Sequence, residues 1–379
     1  MRIERLELHD FRNYQAATIV LAPGLNAFIG PNAAGKTNIL EAVYCLSAGG
    51  SYRTAGDREL VRWGTGAAAA RALVHRGTGC LQVEFRLSGG RKHLLLNGKE
   101  QRRAADFAGR LVAVAFAPED LDLLKGPPRT RRQYLDRALS QGSPAYAYHL
   151  SRYQAILDRR NRLLKLFAEG RKGAETLSVL DSQLAGEAAE LSRRRAEGIT
   201  ALGPQAGRLH AELSGQAPLQ VTYSPALPGR SDGRPGPLPA GPEGWLDIFS
   251  RSRQLDIARQ STTYGPHRDE LSLTLEGADL RVYGSQGQQR TAALALKLAE
   301  IGHLTDVHGE RPVLLLDDVL SELDQYRRGA LFELVEAGTQ TLLTATGWGD
   351  LPGGPASTRA ARFAVASGRV AGPLPVGEA

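Results

Sequence analysis

The chain has 379 residues, enough for two domains or for one α/β domain carrying a large insertion. Its 42% hydrophobic and 23% charged content fits a soluble globular protein, and no segment approaches the ~18 uninterrupted apolar residues of a membrane span. A formal charge of +7 and a pI near 9.5 favour a polyanionic partner, because basic surface releases counterions from nucleic acid. In chain order, "MRIERLELHDF" alternates charged and apolar residues and reads as a strand rather than a signal peptide. Residues 1–125 are expected to be strand-rich, with short runs at 2–8, 16–22, 25–30, 71–76, 80–87 and 92–98 broken by Gly, Pro or Asn. One helix interrupts them at 36–49, with Ile39, Leu40, Val43 and Leu46 on one stripe and glycines at its end. Cys45 and Cys80, each in apolar sequence without metal-ligand spacing nearby, point to a reduced, cytoplasmic setting.

After "KGPP" the character changes. From Arg129 to about Leu213 the sequence is charged and helical, with apolar positions such as Leu135, Leu139, Leu150, Ile156, Leu163 and Leu166. Residues 224–242 are rich in Pro and Gly and read as a mobile loop. A helix over 243–262 leads back to strand sequence at 267–277, and "PVLLLDDVL" reads as a buried parallel strand. The tail beyond Trp348, rich in Gly, Pro and Ala, reads as partly disordered. The expected organisation is an α/β core split in sequence: 1–125, a helical lobe at 126–262, and 263–379.

"GPNAAGKT" fits G-x-x-x-x-G-K-[ST] in full, between the apolar run Leu25–Ile29 and an amphipathic helix. Gly30, Pro31, Asn32, Ala33, Ala34 and Gly35 would let backbone N–H groups wrap a β-phosphate, aided by the helix dipole. Lys36 can reach the β/γ oxygens, and the Thr37 hydroxyl can ligate Mg²⁺. The bland alternative is a glycine-rich turn that matches by chance. The run "VLLLDDVLSELD" then supplies Asp317, at the C-terminal edge of its strand, as the magnesium carboxylate, and Asp318 as a general base. Both could instead act as helix N-caps at the strand end. "GSQGQQRT" is a third feature. Ser285 and Gln288 form S-x-x-Q, a capping box, yet the loop lies between the P-loop and the acids and is followed by "SELD". One ATP on residues 30–37 already has its cradle, so a second helix start is best explained as an anion site offered to another subunit's nucleotide.

This order is that of ABC-type ATPases: P-loop, signature loop, acidic strand, D-loop. "GPNAAGKTN", including Asn38, "HDFRNY", "APEDLDLLKGPP", "YGPHRDE", "GSQGQQRT" and "LLLDDVLSELD" together resemble the RecF family of SMC-like repair ATPases, across nearly the whole chain. The resemblance implies an ABC/SMC-type head with a mixed sheet core, an antiparallel β subdomain and an inserted helical second lobe. It implies ATP and Mg²⁺, an ATP-dependent homodimer, slow DNA-stimulated hydrolysis, and binding to duplex, gapped or single-strand/double-strand junction DNA. It also implies work with RecR and RecO to place RecA on single-stranded DNA. Arg12 and Asn13 would lie beside the nucleotide. Ser285, Gly287 and Gln288 would face the opposite subunit's γ-phosphate, and Ser321 and Asp324 would cross the dimer interface. Thr344 or Thr346 falls at the switch position. Glu119 or Asp120 stands where a Q-loop glutamine is expected. His267-Arg268-Asp269 echoes a kinase loop, but no Asn follows at the required spacing, so a structural role is expected.

DNA contact is expected on the helical lobe, with Arg129, Arg131, Arg132, Arg159 and Arg160 as candidates and further basic residues at Arg137, Arg162, Lys165, Arg171, Lys172 and Arg193–Arg195. Without interleaved aromatic residues, contact would be to phosphates and therefore salt-sensitive. A transporter ATPase subunit fits less well, since Lys36 and Asp317 are 281 positions apart. A long-armed SMC protein fits less well too: a helix of ~45 residues reaches only about 65 Å, and sustained heptads are missing.

Overall fold

The structure, a computed structural model, describes residues 1–54, 56–118, 120, 123–168, 174–229, 237–319, 327–329, 331, 333, 338–347 and 360–374. In chain order, β1 (Arg2–Phe11), β2 (Tyr14–Val20) and β3 (Leu25–Ile29) lead to α1 (Lys36–Ala48), then β4 (Ala67–Arg76), β5 (Gly79–Ser88), β6 (Arg91–Leu96), β7 (Lys99–Glu100), α2 (Ala104–Phe107) and β8 (Ala113–Phe116). Helices α3 (Pro128–Gly142), α4 (Pro144–Ala168) and α5 (Ala174–Ser214) come next, with β9 (Gln220–Ser224), α6 (Gly241–Arg259), β10 (Glu270–Leu275), β11 (Ala278–Asp279), α7 (Leu280–Tyr283) and α8 (Gln286–His308). The chain closes with β12 (Val313–Asp317), β13 (Thr341–Ala345), β14 (Ala360–Ala366) and β15 (Arg369–Leu374).

Two compact units emerge: Met1–Leu121 with Glu300–Ala379, and Asp122–Ala299. The first holds two six-stranded sheets. One is antiparallel, in the order β2-β1-β4-β5-β6-β7. The other runs β15-β14-β3-β13-β12-β8, parallel except for β15. In β1 a bulge between Ile3 and Arg5 shifts the alternation from Ile3 to Leu6 and Leu8, and a second irregularity at Asp10 (φ 44°) lets Phe11 reach the core as well. Helix α1 buries Ile39, Leu40, Val43 and Leu46 in the same core, on the order of 2 kcal/mol each.

In the second unit α3–α6 share a core with an antiparallel sheet in the order β11-β10-β9. Its core includes Tyr153, Leu184, Leu191, Trp245 and Phe249. Helix α5, at 41 residues, spans about 62 Å. The return to the first unit comes at Glu300 rather than near residue 263, because β10 pairs with β9 and buries Leu271, Leu273 and Leu275 beside Ala292, Ala293 and Leu296. On α4, Leu164 is the buried residue, whereas Leu166 is 37% exposed.

Two other expectations change. Cys80 is exposed, its sulfur 3.1 Å from His75 Nδ1, whereas Cys45 is buried. The tail carries β14 and β15, and β14 pairs directly with the P-loop strand β3. No described helix is long and apolar enough to cross a membrane.

Candidate functional site

β3 ends at Ile29 and the chain turns through residues 30–35 into α1, with Ala33 (φ 64°) and Gly35 (φ 113°) in the left-handed region. Glycine is required at 35, where a Cβ would lie 2.6 Å from the Asn13 amide as well as strain the backbone. At Gly30 a Cβ would meet the Val365 carbonyl oxygen of β14 at 2.1 Å. Neighbouring segments brace the loop. Asn13 Nδ2 donates to Ala34 O at 3.0 Å, Asn38 Nδ2 to Asn13 Oδ1 at 2.8 Å, and Tyr14 Oη to Gly35 O at 3.0 Å. Gly368 N–H, in the β14–β15 turn, donates to the same Ala34 oxygen at 3.0 Å. No side chain caps α1 and no acid stands in its first turn, so its positive end meets the loop directly. Lys36 Nζ donates to Gly30 O (2.8 Å) and Pro31 O (3.2 Å), while Pro31 and Asn32 are exposed.

The acid strand is not the immediate neighbour of β3; β13 lies between β3 and β12. Thr37 Oγ1 nevertheless donates to Asp317 Oδ1 at 2.8 Å across 280 positions. Thr344 on β13, in register with Asp317, stands between Asp317 Oδ1 (3.0 Å) and Asp318 Oδ1 (3.3 Å) and accepts the Asp318 N–H at 2.8 Å. Its single proton serves one carboxylate at a time. Thr346, by contrast, is exposed, so the residue at the acids is Thr344. Asp318 has φ 48°, a conformation few non-glycine residues adopt. Burial pushes the Asp317 carboxyl pKa above its ordinary range; Thr37, Tyr52 and Thr344 pull against this by hydrogen bonding, and the Asp318 charge adds to the rise.

Arg12 (φ 54°) forms a two-pronged pair with Glu41, at 2.8 and 2.7 Å, and donates to Glu59 O at 2.8 Å. Burial alone would lower its pKa, but Glu41's hydrogen bonds and charge raise it. Glu41 is fully buried on α1 and also takes Ser51 Oγ and Arg53. Tyr52 donates to Asp317 Oδ2 at 2.8 Å. Sequence reasoning missed Glu41 and Tyr52: Glu41 sits inside the helix run as an ordinary charged residue, and "SYRT" has no spacing relation to Asp317. Of the two Q-loop positions, Asp120 accepts the Ala117 N–H at 2.9 Å, and Glu119 lies outside the described residues.

The residues offer Thr37 and Asp317 oxygens, the Lys36 ammonium and a helix start in one place, a donor set that suits a magnesium nucleotide. Among the described residues no group of three or more His, Cys, Asp or Glu forms a metal site. A divalent ion at Thr37 and Asp317 would therefore take its remaining ligands from phosphate and water.

In the second unit, Ser285–Gln288 forms the reciprocal capping box: Ser285 N–H donates to Gln288 Oε1 (2.9 Å) and Gln288 N–H to Ser285 Oγ (3.2 Å). Gln288 Nε2 also donates to Gln216 Oε1 at 3.2 Å. Ser285 is exposed and Gly287 half-buried. Ser321 and Asp324 lie outside the described residues, as do Arg171 and Lys172.

The arginine candidates divide. Arg129 and Arg159 are exposed. Arg131 and Arg160 are corrections. Arg131, 2% exposed, pairs with Glu270 at 2.7 Å and donates to the Leu123, Leu124 and Gly126 carbonyls. Arg160, fully buried, binds Asp181 (2.7 Å), Asp256 (2.8 Å) and Thr262 (2.8 Å). Arg132 is half-buried, with Nη1 on Asp269 O at 2.8 Å. Arg195 is buried between Asp136 and Asp269, both at 2.8 Å. His267 and Asp269 of the "HRD" run serve this interior. Tyr153 Oη lies 2.6 Å from His267 Nδ1, and Thr262 O lies 3.0 Å from Nε2.

The RecF/RecN/SMC N-terminal domain family matches residues 2–346. The DNA replication and repair protein RecF of Heliobacterium modesticaldum is 42% identical over 353 residues, covering 91% of this chain and 92% of that one. Its Bacillus subtilis counterpart is 41% identical over 348 residues, with 91% and 93% covered. A solved structure of the recombination mediator protein RecF with ATP, from the RecFOR pathway, superposes with a TM-score of 0.87 at 33% identity, covering 97% of this chain and 96% of that one. An SMC head bound to the winged-helix domain of ScpA shares the fold, with a TM-score of 0.52 at 15% identity and 98% and 97% covered.

Proposed function

The chain belongs to the RecF family of SMC-type ATPases, and from that premise we propose that it is an ATP-gated DNA-binding protein of replication and recombinational repair. The observation that carries this reading is the Thr37–Asp317 contact, which joins P-loop and acid strand in one unit. Residues 30–38 hold the nucleotide, with Arg12 and Asn13 beside it, and Thr37 and Asp317 hold Mg²⁺. A magnesium ion held by Thr37 and Asp317 would offset the negative charge of the γ-phosphoryl group. Lys36 and the α1 N–H groups orient and neutralise the phosphates, while Asp318 takes the proton of the attacking water. An Asp here, one methylene shorter than Glu, suits slow turnover.

Ser285, Gly287 and Gln288 face the phosphates held by a second copy, with Ser321 and Asp324 crossing the same interface. ATP binding then closes a homodimer on duplex, gapped or junction DNA, and hydrolysis releases it. The exposed position of Ser285 at the start of α8 supports this, since an anion can approach the positive end of the helix dipole there. In the cytoplasm, with RecR and RecO, the protein prepares single-stranded gaps for RecA. Arg129 and Arg159 remain the DNA candidates, with Arg132 secondary.

Single-turnover hydrolysis with and without duplex DNA tests this reading. DNA should raise the rate of phosphate release; an unchanged rate would favour a module that keeps ATP as a static ligand.

A further inference from the structure

We propose that Tyr52 is a positioning residue for the metal carboxylate: its buried hydroxyl fixes the rotation of Asp317, so that the acid meets Mg²⁺ in one orientation. The inference rests on the reading of Thr37 and Asp317 as the magnesium site. A carboxylate turns freely about its last torsion, which has broad minima, unless both oxygens are held. Thr37 and Thr344 both reach Oδ1, at 2.8 and 3.0 Å. Among the described residues Tyr52 alone is bonded to Oδ2, at 2.8 Å. Three hydroxyls from three separate segments thus converge on one side chain.

Tyr52 is itself held in place. Its ring packs edge-on against Tyr44 of α1, with centroids 5.1 Å apart and planes at 79°. On one side of it Ser51 is bonded to the buried Glu41; on the other, Arg53 reaches Asn38 Oδ1 at 3.3 Å and Glu41 Oε2 at 3.6 Å. The segment 51–53 is therefore tied to the P-loop helix at both ends, with the hydroxyl between them aimed at the acid strand. Such a strap couples the helix beside the phosphates to the carboxylate beside the metal. Tyr52→Phe removes only the hydroxyl and leaves the ring contact with Tyr44, so packing is nearly unchanged.

The test is binding of a fluorescent ATP analogue by the full-length protein, titrated with Mg²⁺ and repeated in EDTA, for wild type, Tyr52→Phe and Asp317→Asn. A hydrogen bond to a charged group is strong enough that its loss should raise the Mg²⁺ needed for half-maximal binding by roughly ten-fold or more. Affinity in EDTA should stay at the wild-type value. Tyr52→Phe with wild-type Mg²⁺ dependence would overturn the proposal. An equal loss in Mg²⁺ and in EDTA would overturn it too, by showing that Tyr52 only supports the loop. If Asp317→Asn keeps wild-type Mg²⁺ dependence, the magnesium-site reading itself fails, separately from Tyr52.

Discussion

Lys36 and Arg160 are both buried cations, 5% and 0% exposed, yet they end on different partners. Lys36 rests on the neutral carbonyl oxygens of Gly30 and Pro31, beside a helix start with no acid in its first turn. Arg160 meets two carboxylates, Asp181 and Asp256, and the Thr262 hydroxyl. A buried charge without a counter-charge is costly unless an anion arrives, which is the condition of a binding site. A charge neutralised from inside needs no ligand. Basic residues in a sequence are thus sorted by what the fold sets against them: Lys36 keeps its charge for a ligand, whereas that of Arg160 is committed to packing.

The sharpest way to break this contrast is Arg160→Ala, which should cost ~3–5 kcal/mol of unfolding free energy because two carboxylates lose their buried partner. Arg159→Ala, one residue away and exposed, should change stability by about 0.5 kcal/mol or less in the same denaturant titration. Lys36→Ala should do the reverse, lowering ATP hydrolysis by about 10²–10³-fold while the unfolding midpoint stays near wild type. Equal stability losses in Lys36→Ala and Arg160→Ala would erase the distinction.

The interior of the second unit should also respond to acid. The His267 pKa is lowered from 6.5 to about 4, chiefly by burial, with the Thr262 carbonyl opposing the shift and the charges of Arg268, Arg132 and Arg160 adding to it. The unfolded state therefore binds the proton more readily. Stability from this group is complete above pH 6.5 and falls as pH drops toward 4, by up to about 3 kcal/mol. Unfolding titrations across that window should show His267→Gln with a flatter pH profile than wild type. The smallest effect is expected at Arg129 and Arg159, where alanine should weaken DNA binding uniformly across sequences and reduce the salt slope by about 1 each.

How much of this was legible depended on which residues share a ligand. The P-loop follows from spacing because phosphate chemistry dictates it, and Asp317 follows because a strand must deliver it. Tyr52 is tied to Asp317 only through the folded path of the chain, which no local pattern records. The misassigned arginines did carry a signal. Arg160 lies on the buried stripe of α4 with Tyr153, Ile156, Leu157 and Leu164, and Arg131 lies on that of α3 with Tyr134, Leu135, Ala138 and Leu139. An arginine at a helix's apolar period belongs to the interior unless an anion is there to meet it. Strand β14 was missed because Ala fills four of its seven positions, leaving only Phe363 and Val365 as bulky apolar core residues, and β15 because its six residues are mostly exposed and broken by Gly and Pro.

The central claim is that the helix start at Ser285 serves a nucleotide held by another copy of the chain. Sedimentation velocity of wild type and Ser285→Arg, with ATP and Mg²⁺, tests it most directly. Wild type should sediment as a dimer, whereas Ser285→Arg should bind ATP with wild-type affinity and remain a monomer. A Ser285→Arg protein that still dimerises on ATP would contradict the account.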